Sequence, residues 1–348
     1  LLDGAVSPIR QRRGVGDSSG ASRRVVTGDD WPSVAVVVPN HSRITELEQT
    51  LASIDAQDYP GRIHVYLVYW PRLEIDPVLA RLGPGVTGIP SSTEDGRNSI
   101  AVKRNLGLRA SSEDLVAFLD DDDLWHPRKL RAQVAAMGEH PVAIAVGATS
   151  QAFRESLCWS TFDLTGGFRD YSSLEVAGFR GLATSSILVD GPTARRLEFD
   201  ERPEWKAAED YDFKLRLDEC GPVRQMADIL IGYRTGPTSI SMADPRAMTV
   251  KSLDILASAI DRGESTWQRR LVAMQCVTEA IFSGRQPASK VADHLLDGSL
   301  DGRVAGRLDP WLAGLVRFGW RCRLPGRALA FRCSGVIVRS FVRFDRRR

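Results

Sequence analysis

The first stretch of chain with a readable apolar pattern is Val34-Ala35-Val36-Val37-Val38, ended by Pro39-Asn40. A short β-branched run without polar alternation predicts a strand covered on both faces, as in a parallel sheet. Ile44, Leu47, Leu51 and Ile54 follow at spacings of three and four, one face of a helix closed by Tyr59-Pro60-Gly61. Val65-Tyr66-Leu67-Val68 predicts a second strand, so the region reads as a βαβ unit with a right-handed crossover. A further apolar run, Leu115–Leu119, stops at four consecutive aspartates. Behind Trp125-His126, Pro127 suits the first turn of a helix carrying Leu130, Val134 and Met137. Later strands are expected at Ser186–Val189 and Ile229–Tyr233. The pattern predicts an α/β fold with a mostly parallel sheet and helices on both faces.

The flanks differ from this body. Residues 1–30 are rich in Gly, Ser, Asp and Arg without apolar periodicity, which predicts a flexible lead-in. Residues 246–315 carry Leu253, Leu256 and Ile260, then Trp267, Leu271 and Met274, at helical spacing. The expected division is therefore a lead-in (1–30), an α/β domain (31–245), a helical extension (246–315) and a tail (316–348). No internal repeat interrupts it.

Composition changes this picture in two places. The five cysteines are scattered, with no C-x-x-C, which predicts reduced thiols of a cytoplasmic protein rather than a disulfide framework or zinc site. No apolar run approaches the ~20 residues that span a bilayer, and the N-terminus lacks the apolar core of a signal peptide. The net charge of +2 hides an asymmetry: the tail holds ten arginines and one acid, Asp345, leaving a mildly acidic body. The arginines alternate with large apolar residues such as Phe318, Trp320, Phe331, Phe341 and Phe344. That mixture predicts an amphipathic segment lying on an anionic membrane, at the inner face of the cell membrane. A nucleic-acid partner would leave the apolar half unused, so none is expected. A tail packed on the acidic body stays open as the alternative.

The candidate chemistry lies in Asp120-Asp121-Asp122-Asp123. Adjacent carboxylates repel one another. On a solvated loop they would form an unremarkable acidic turn, but the C-terminal end of a parallel strand is where α/β folds bind ligands. Hard oxygen donors there select Mg²⁺ or Mn²⁺, with phosphates completing the coordination shell. The inference is a divalent-metal site for a phosphorylated ligand.

Phe118 to Pro127 resembles the D-x-D region of inverting family 2 glycosyltransferases, which have the GT-A fold. Three other segments agree in order. Val34–Asn40 with the Arg43–Gln57 helix and Tyr59-Pro60 resembles "V-V-I-P-x-x-N-R … L-x-S-L-x-x-Q-x-Y-P". Lys103–Leu108 resembles "A-R-N-x-G". Phe199-Asp200-Glu201 through Arg216-Leu217 resembles "F-D-E-x … E-D-x-D-x-x-x-R-L". The match covers about residues 31–240. The resemblance implies a nucleotide-sugar donor, a hydroxyl acceptor and a catalytic base at Asp210, with Glu209 beside it. It places metal at Asp121 and Asp123, and donor contacts at Pro39, Asn40, Arg43, Trp70, Arg104, Asp121 and Asp122. Which aspartate touches the ion is left open. Each assignment has a plainer counterpart: a helix cap for Glu209-Asp210, a surface arginine for Arg104 and a turn residue for Asn40; for His126 the two readings are approach to the metal and a residue that merely precedes a helix-starting proline.

One departure stands out. The family usually carries "V-V-D-D-G-S" after the second strand, where an aspartate binds the donor base; here the chain reads Leu67-Val68-Tyr69-Trp70-Pro71-Arg72. Either aromatic can stack on a base, or both can pack under the following loop. The processive signature Q-x-x-R-W is absent, which implies transfer of single sugars, in cell-envelope polysaccharide or glycolipid synthesis. Two rivals remain. A nucleotidyltransferase needs a Gly-rich loop where Pro39–Arg43 has no glycine, and a catalytically silent module would not need Asp121, Asp123 and Asp210.

Overall fold

The computed structural model describes residues 31–71, 75–79, 85–92, 99–138, 145–159, 164, 166–170 and 182–236, with 248, 251–252, 254–256, 258–259 and 262 beyond them. The lead-in, most of the helical extension and the basic tail lie outside the described residues. Among the described residues no helix is long and apolar enough to cross a membrane.

Nine strands form one mixed sheet. They are β1 (Val34–Pro39), β2 (Ile63–Tyr69), β3 (Val86–Pro90), β4 (Leu115–Phe118), β5 (Leu124–Trp125), β6 (Ala145–Phe153), β7 (Phe168–Asp170), β8 (Leu188–Asp190) and β9 (Val223–Arg234). The spatial order is β3-β2-β1-β4-β8-β6-β9-β5, with β7 also paired to β9. Among the described residues up to 236, six α-helices accompany them: α1 (Ile44–Asp55), α2 (Asp76–Leu79), α3 (Ser99–Ala110), α4 (Lys129–Gly138), α5 (Gly191–Leu197) and α6 (Glu209–Cys220).

The expected parallel sheet is present in β3-β2-β1-β4, where every pairing is parallel. Beyond β4 the sheet becomes mixed. Strand β8 runs antiparallel to both β4 and β6, while β6 and β9 run parallel. A strand buried on both faces shows the same unbroken apolar run in either direction, so hydropathy does not separate the two halves.

Alternation along β1 divides the core into two layers. Val34, Val36 and Val38 pack with Leu47, Leu51 and Ile54 of α1 and Leu130 and Val134 of α4. Ala35 and Val37 face the other way, toward Ala101 and Leu108 of α3, Ala194 of α5 and Phe213 of α6. Helices thus cover both faces, α1 and α4 on one and α3, α5 and α6 on the other. Connections from β1 through α1 build outward to β2 and β3, and α3 returns the chain to β4 on the far side of β1. The strand order therefore reverses between β1 and β4, and the C-terminal ends of those two strands bound the crevice where α/β sheets bind ligands.

Close packing explains a glycine in the Lys103–Leu108 segment. A Cβ on Gly107 would sit 2.5 Å from Val37 Cγ1, so only glycine lets α3 lie directly on β1.

The core also continues past the expected boundary at residue 245. Ile255, Leu256 and Ala259 are buried in the layer that holds Trp205, Tyr211 and Phe213. Polar contacts reinforce this docking: Trp205 Nε1 donates to Asp254 (2.7 Å), Lys251 Nζ to the Lys206 carbonyl (2.6 Å), and Arg262 to Glu219 and Asp212. The start of the extension thus buttresses the helix that begins at Glu209.

Two substitutions test this packing by denaturant unfolding. Leu256→Ala should cost about 2–5 kcal/mol as a core truncation, and Gly107→Ala about 1–3 kcal/mol as an overpacked contact. A Leu256→Ala variant as stable as the parent would show that residues 254–262 are not part of the cooperative core.

Candidate functional site

At the β1–β4 crevice the four aspartates are sorted into two classes. Asp121 and Asp123 are buried, whereas the side chains of Asp120 and Asp122 remain 34% and 21% exposed. Asp121 Oδ2 accepts from Asn40 Nδ2 (2.9 Å) and from the His41 N–H (3.1 Å), tying the end of β4 to the end of β1. Both oxygens of Asp123 are engaged, one by Ser185 Oγ (2.6 Å) and one by the Arg234 N–H (2.9 Å). Asp122 pairs with Arg43, which also lies 3.6 Å from Asp121. Asp120 receives Arg104 Nη2 at 2.7 Å. The pair expected to hold metal, Asp121 and Asp123, is thus the inward pair, and Asp120, absent from the expected set, faces outward.

Burial has an electrostatic consequence. Desolvation pushes the Asp121 carboxyl up to about 6, reinforced by Asp122, although the His41 N–H opposes it. Desolvation raises Asp123 and Asp122 as well, and Asp120 adds to both.

Arg104 is not the surface residue its helix position allowed. It is buried, with Nη1 donating to Glu209 (2.8 Å) and Nη2 to Asp120. Burial would lower its pKa, but Asp120, Glu209 and Asp210 outweigh that and hold the proton more firmly than usual. One guanidinium therefore joins α3, the end of β4 and the start of α6.

Glu209 and Asp210 open α6, and neither is its N-cap: that position is Ala208, with no side-chain cap. Tyr211, Phe213, Leu215 and Leu217 alternate in sequence as a strand would, yet they lie within this helix. Asp210 accepts from Thr184 Oγ1 (3.0 Å) and Lys214 Nζ (2.6 Å). Burial raises its pKa, but the Lys214 ammonium and its hydrogen bond, with Arg104 and Thr184, hold Asp210 below the usual carboxylate range. It is ionised at neutral pH and able to accept a proton. Ala207, just ahead, has φ +68°, a left-handed conformation that costs a non-glycine residue roughly 1–2 kcal/mol. Lys251 and Asp254 hold the two residues that precede it, Lys206 and Trp205.

The remaining expected residues divide clearly. Pro39 ends β1 and is buried, and Asn40 is fully buried as the bridge to Asp121 rather than a solvent-facing turn residue. Tyr69 packs against the α1-side core, while Trp70 turns to the crevice, its ring 5.5 Å from His41 and 5.6 Å from Lys103 Nζ. His126 accepts from the Arg128 N–H, as a residue leading into α4 does. Sequence reading passed over Asp120, Lys103, Thr184, Ser185 and Lys214. Alternation of the acids at the strand end was the available signal for Asp120. Thr184 and Ser185 carry no motif and enter only through tertiary proximity.

The Glycosyltransferase like family 2 model matches residues 32–216, more than half of the chain. The chain belongs to that family. An N-acetylglucosaminyltransferase of Mesorhizobium japonicum is 30% identical over 144 residues, covering 39% of this chain and 32% of that protein. The chain thus spans about a third of that relative's length. Among solved structures, Staphylococcus aureus TarS 1-349 in complex with UDP-GlcNAc superposes with a TM-score of 0.62 at 14% identity, over 89% of this chain and 91% of that one. The same protein in complex with UDP gives 0.60 over the same shares. At that identity the likeness establishes the fold, GT-A, for this family 2 member.

Two measurements on the ligand-free protein check the electrostatics. A raised Asp121 destabilises the fold above about pH 6, and the penalty is relieved as pH falls toward the unfolded value of about 3.9. Asp121→Asn keeps an oxygen for Asn40 and His41, so it should add on the order of 1–3 kcal/mol at pH 7.5, about half of that at pH 5 and little below about pH 4. Asp210 has the opposite sign: its depressed value stabilises the fold above about pH 4 and that contribution is lost on acidification. Lys214→Met should therefore move the acid-unfolding midpoint upward. An unchanged or lower midpoint would contradict the pairing.

Proposed function

We propose that this chain transfers a single sugar from a nucleotide-sugar donor to an acceptor hydroxyl with inversion at the anomeric carbon. The observation that carries the reading is Arg104, which holds the donor-side acid Asp120 and the base-side pair Glu209-Asp210 across one crevice at the strand-order reversal. The acceptor O–H gives its proton to Asp210 as its oxygen forms the new bond to the anomeric carbon. The bond from that carbon to the departing nucleoside diphosphate breaks on the opposite face. Glu209 and Arg104 position the base.

The donor set suits Mg²⁺ or Mn²⁺. Asp120 and Asp122 are the partly exposed hard-oxygen donors, and among the described residues no group of three His, Cys, Asp or Glu is arranged to hold a metal ion. The chain would supply one or two carboxylates, with phosphate and water completing the shell, as Mg²⁺ usually binds. We therefore assign the metal to Asp120 and Asp122, with Asp121 and Asp123 shaping the loop beneath them. The cation would neutralise charge on the leaving diphosphate.

The relatives support UDP-GlcNAc as the first donor to test. The arginine-rich tail supports a peripheral position on anionic membrane, and with it a lipid-linked or cell-envelope acceptor; vesicle sedimentation with and without residues 316–348 reads that directly.

The deciding experiment measures nucleotide-sugar hydrolysis and thermal stabilisation with Mn²⁺, Mg²⁺ or EDTA. A donor should stabilise the protein only with metal, and Asp120→Asn with Asp122→Asn should abolish that stabilisation. Asp210→Asn should lower turnover by roughly 10²–10⁴ while donor affinity persists. Wild-type turnover in Asp210→Asn would remove the base from this carboxylate.

A further inference from the structure

Beside the acid cluster, at the ends of β1 and β2, lies a group of residues that the reaction above does not use. Lys103 of α3 is 1% exposed, and its ammonium makes one hydrogen bond among the described residues, a long one of 3.4 Å to His41 Nδ1. A buried ammonium carries three donors, and among the described residues the other two meet no acceptor. Asn40, next to His41, is fully buried, and among the described residues its Oδ1 accepts no hydrogen bond. Its orientation is fixed, because Asp121 Oδ2 can only accept and so must face Nδ2. Leaving such groups unpaired is costly. Trp70 supplies an aromatic wall, edge-on to His41 and within 5.6 Å of the Lys103 ammonium. His41 is exposed and Trp70 partly so; Lys103 and Asn40 lie beneath them.

A buried cationic donor, a buried neutral acceptor and an aromatic face are the parts of a nucleobase pocket. We infer that this chain reads the donor base with Trp70, Lys103 and Asn40, in place of a carboxylate after the second strand, and that it selects a keto base, uracil or guanine. The base stacks on Trp70. Its carbonyl accepts from Lys103, replacing the long contact to His41, and the adjacent ring N–H donates to Asn40 Oδ1. Cytosine and adenine present an amino group beside a ring acceptor, and the amino group would face the ammonium donor to donor. The inference rests on the donor-site reading above and specifies its selectivity.

The test is calorimetric titration of the full chain with UDP, GDP, CDP, ADP and inorganic pyrophosphate, each with Mn²⁺. UDP or GDP should bind at least tenfold more tightly than CDP and ADP. Lys103→Met, an apolar replacement of similar length, should lose at least tenfold for the preferred nucleotide, abolish the discrimination and leave pyrophosphate affinity unchanged. Trp70→Leu should weaken all four nucleotides together, again without affecting pyrophosphate. Equal affinity for the four bases in the parent, unchanged nucleotide binding in either variant, or a parallel fall in pyrophosphate affinity in Lys103→Met would each overturn the base-reading role. If the parent binds neither pyrophosphate nor any nucleotide, the donor-site reading itself fails, and this inference with it.

Discussion

The structure turns on one buried guanidinium. Arg104 reaches from α3 to Asp120 at the end of β4 and to Glu209 at the start of α6, with only 5% of its side chain exposed. Placing a charge there is expensive, and two carboxylates within hydrogen-bonding distance compensate it. Loss of one partner would leave a buried charge, a change that commonly costs 3–5 kcal/mol. Three elements are thereby held in one register, and Asp120 faces Glu209 across the guanidinium.

The same economy governs the aspartate run. Four carboxylates in succession would repel one another if all pointed into one space. The chain turns Asp121 toward Asn40 and the His41 N–H, and Asp123 toward Ser185 and the Arg234 N–H. Asp120 and Asp122 are left at the surface, opposite arginines. The inward acids hold the loop shape, and the outward ones present partly exposed negative charge at the crevice. Immediately beside them, Lys103 and Arg43 make the neighbouring part of the crevice positive. Burial lowers the Lys103 pKa against the opposing pull of Asp121, and burial together with Lys103, Lys206 and Arg43 lowers that of His41. A neutral His41 can accept from the ammonium beside it.

On the base side, rigidity comes from outside the α/β body. Asp212, one turn along α6, binds Arg216 of its own helix and Arg262 of the extension, while Asp254 holds Trp205 below the strained Ala207 turn. The extension therefore takes part in positioning Asp210. Lys214 then sets its charge state through a contact one helical turn away.

What the sequence determined by itself was the local periodic structure and the four motif segments. Val34–Pro39 and the Leu115 run were legible as unbroken apolar stretches, the mark of strands buried on both faces, and the α1 stripe and the helix after Pro127 through the 3.6-residue period of a helix with one buried face. The helix at Glu209 was not, since Tyr211, Phe213, Leu215 and Leu217 also alternate; the family motif decided it. Tertiary structure alone decided the direction of β8, the partners of each aspartate, the burial of Arg104 and the different fates of Tyr69 and Trp70. These depend on contacts between residues from 16 to more than 100 positions apart, such as Arg104 with Asp120 and Glu209, and Asp123 with Arg234. Hydropathy registers whether a side chain is buried. It carries no record of which distant group meets it, and that pairing fixes charge state and chemical role.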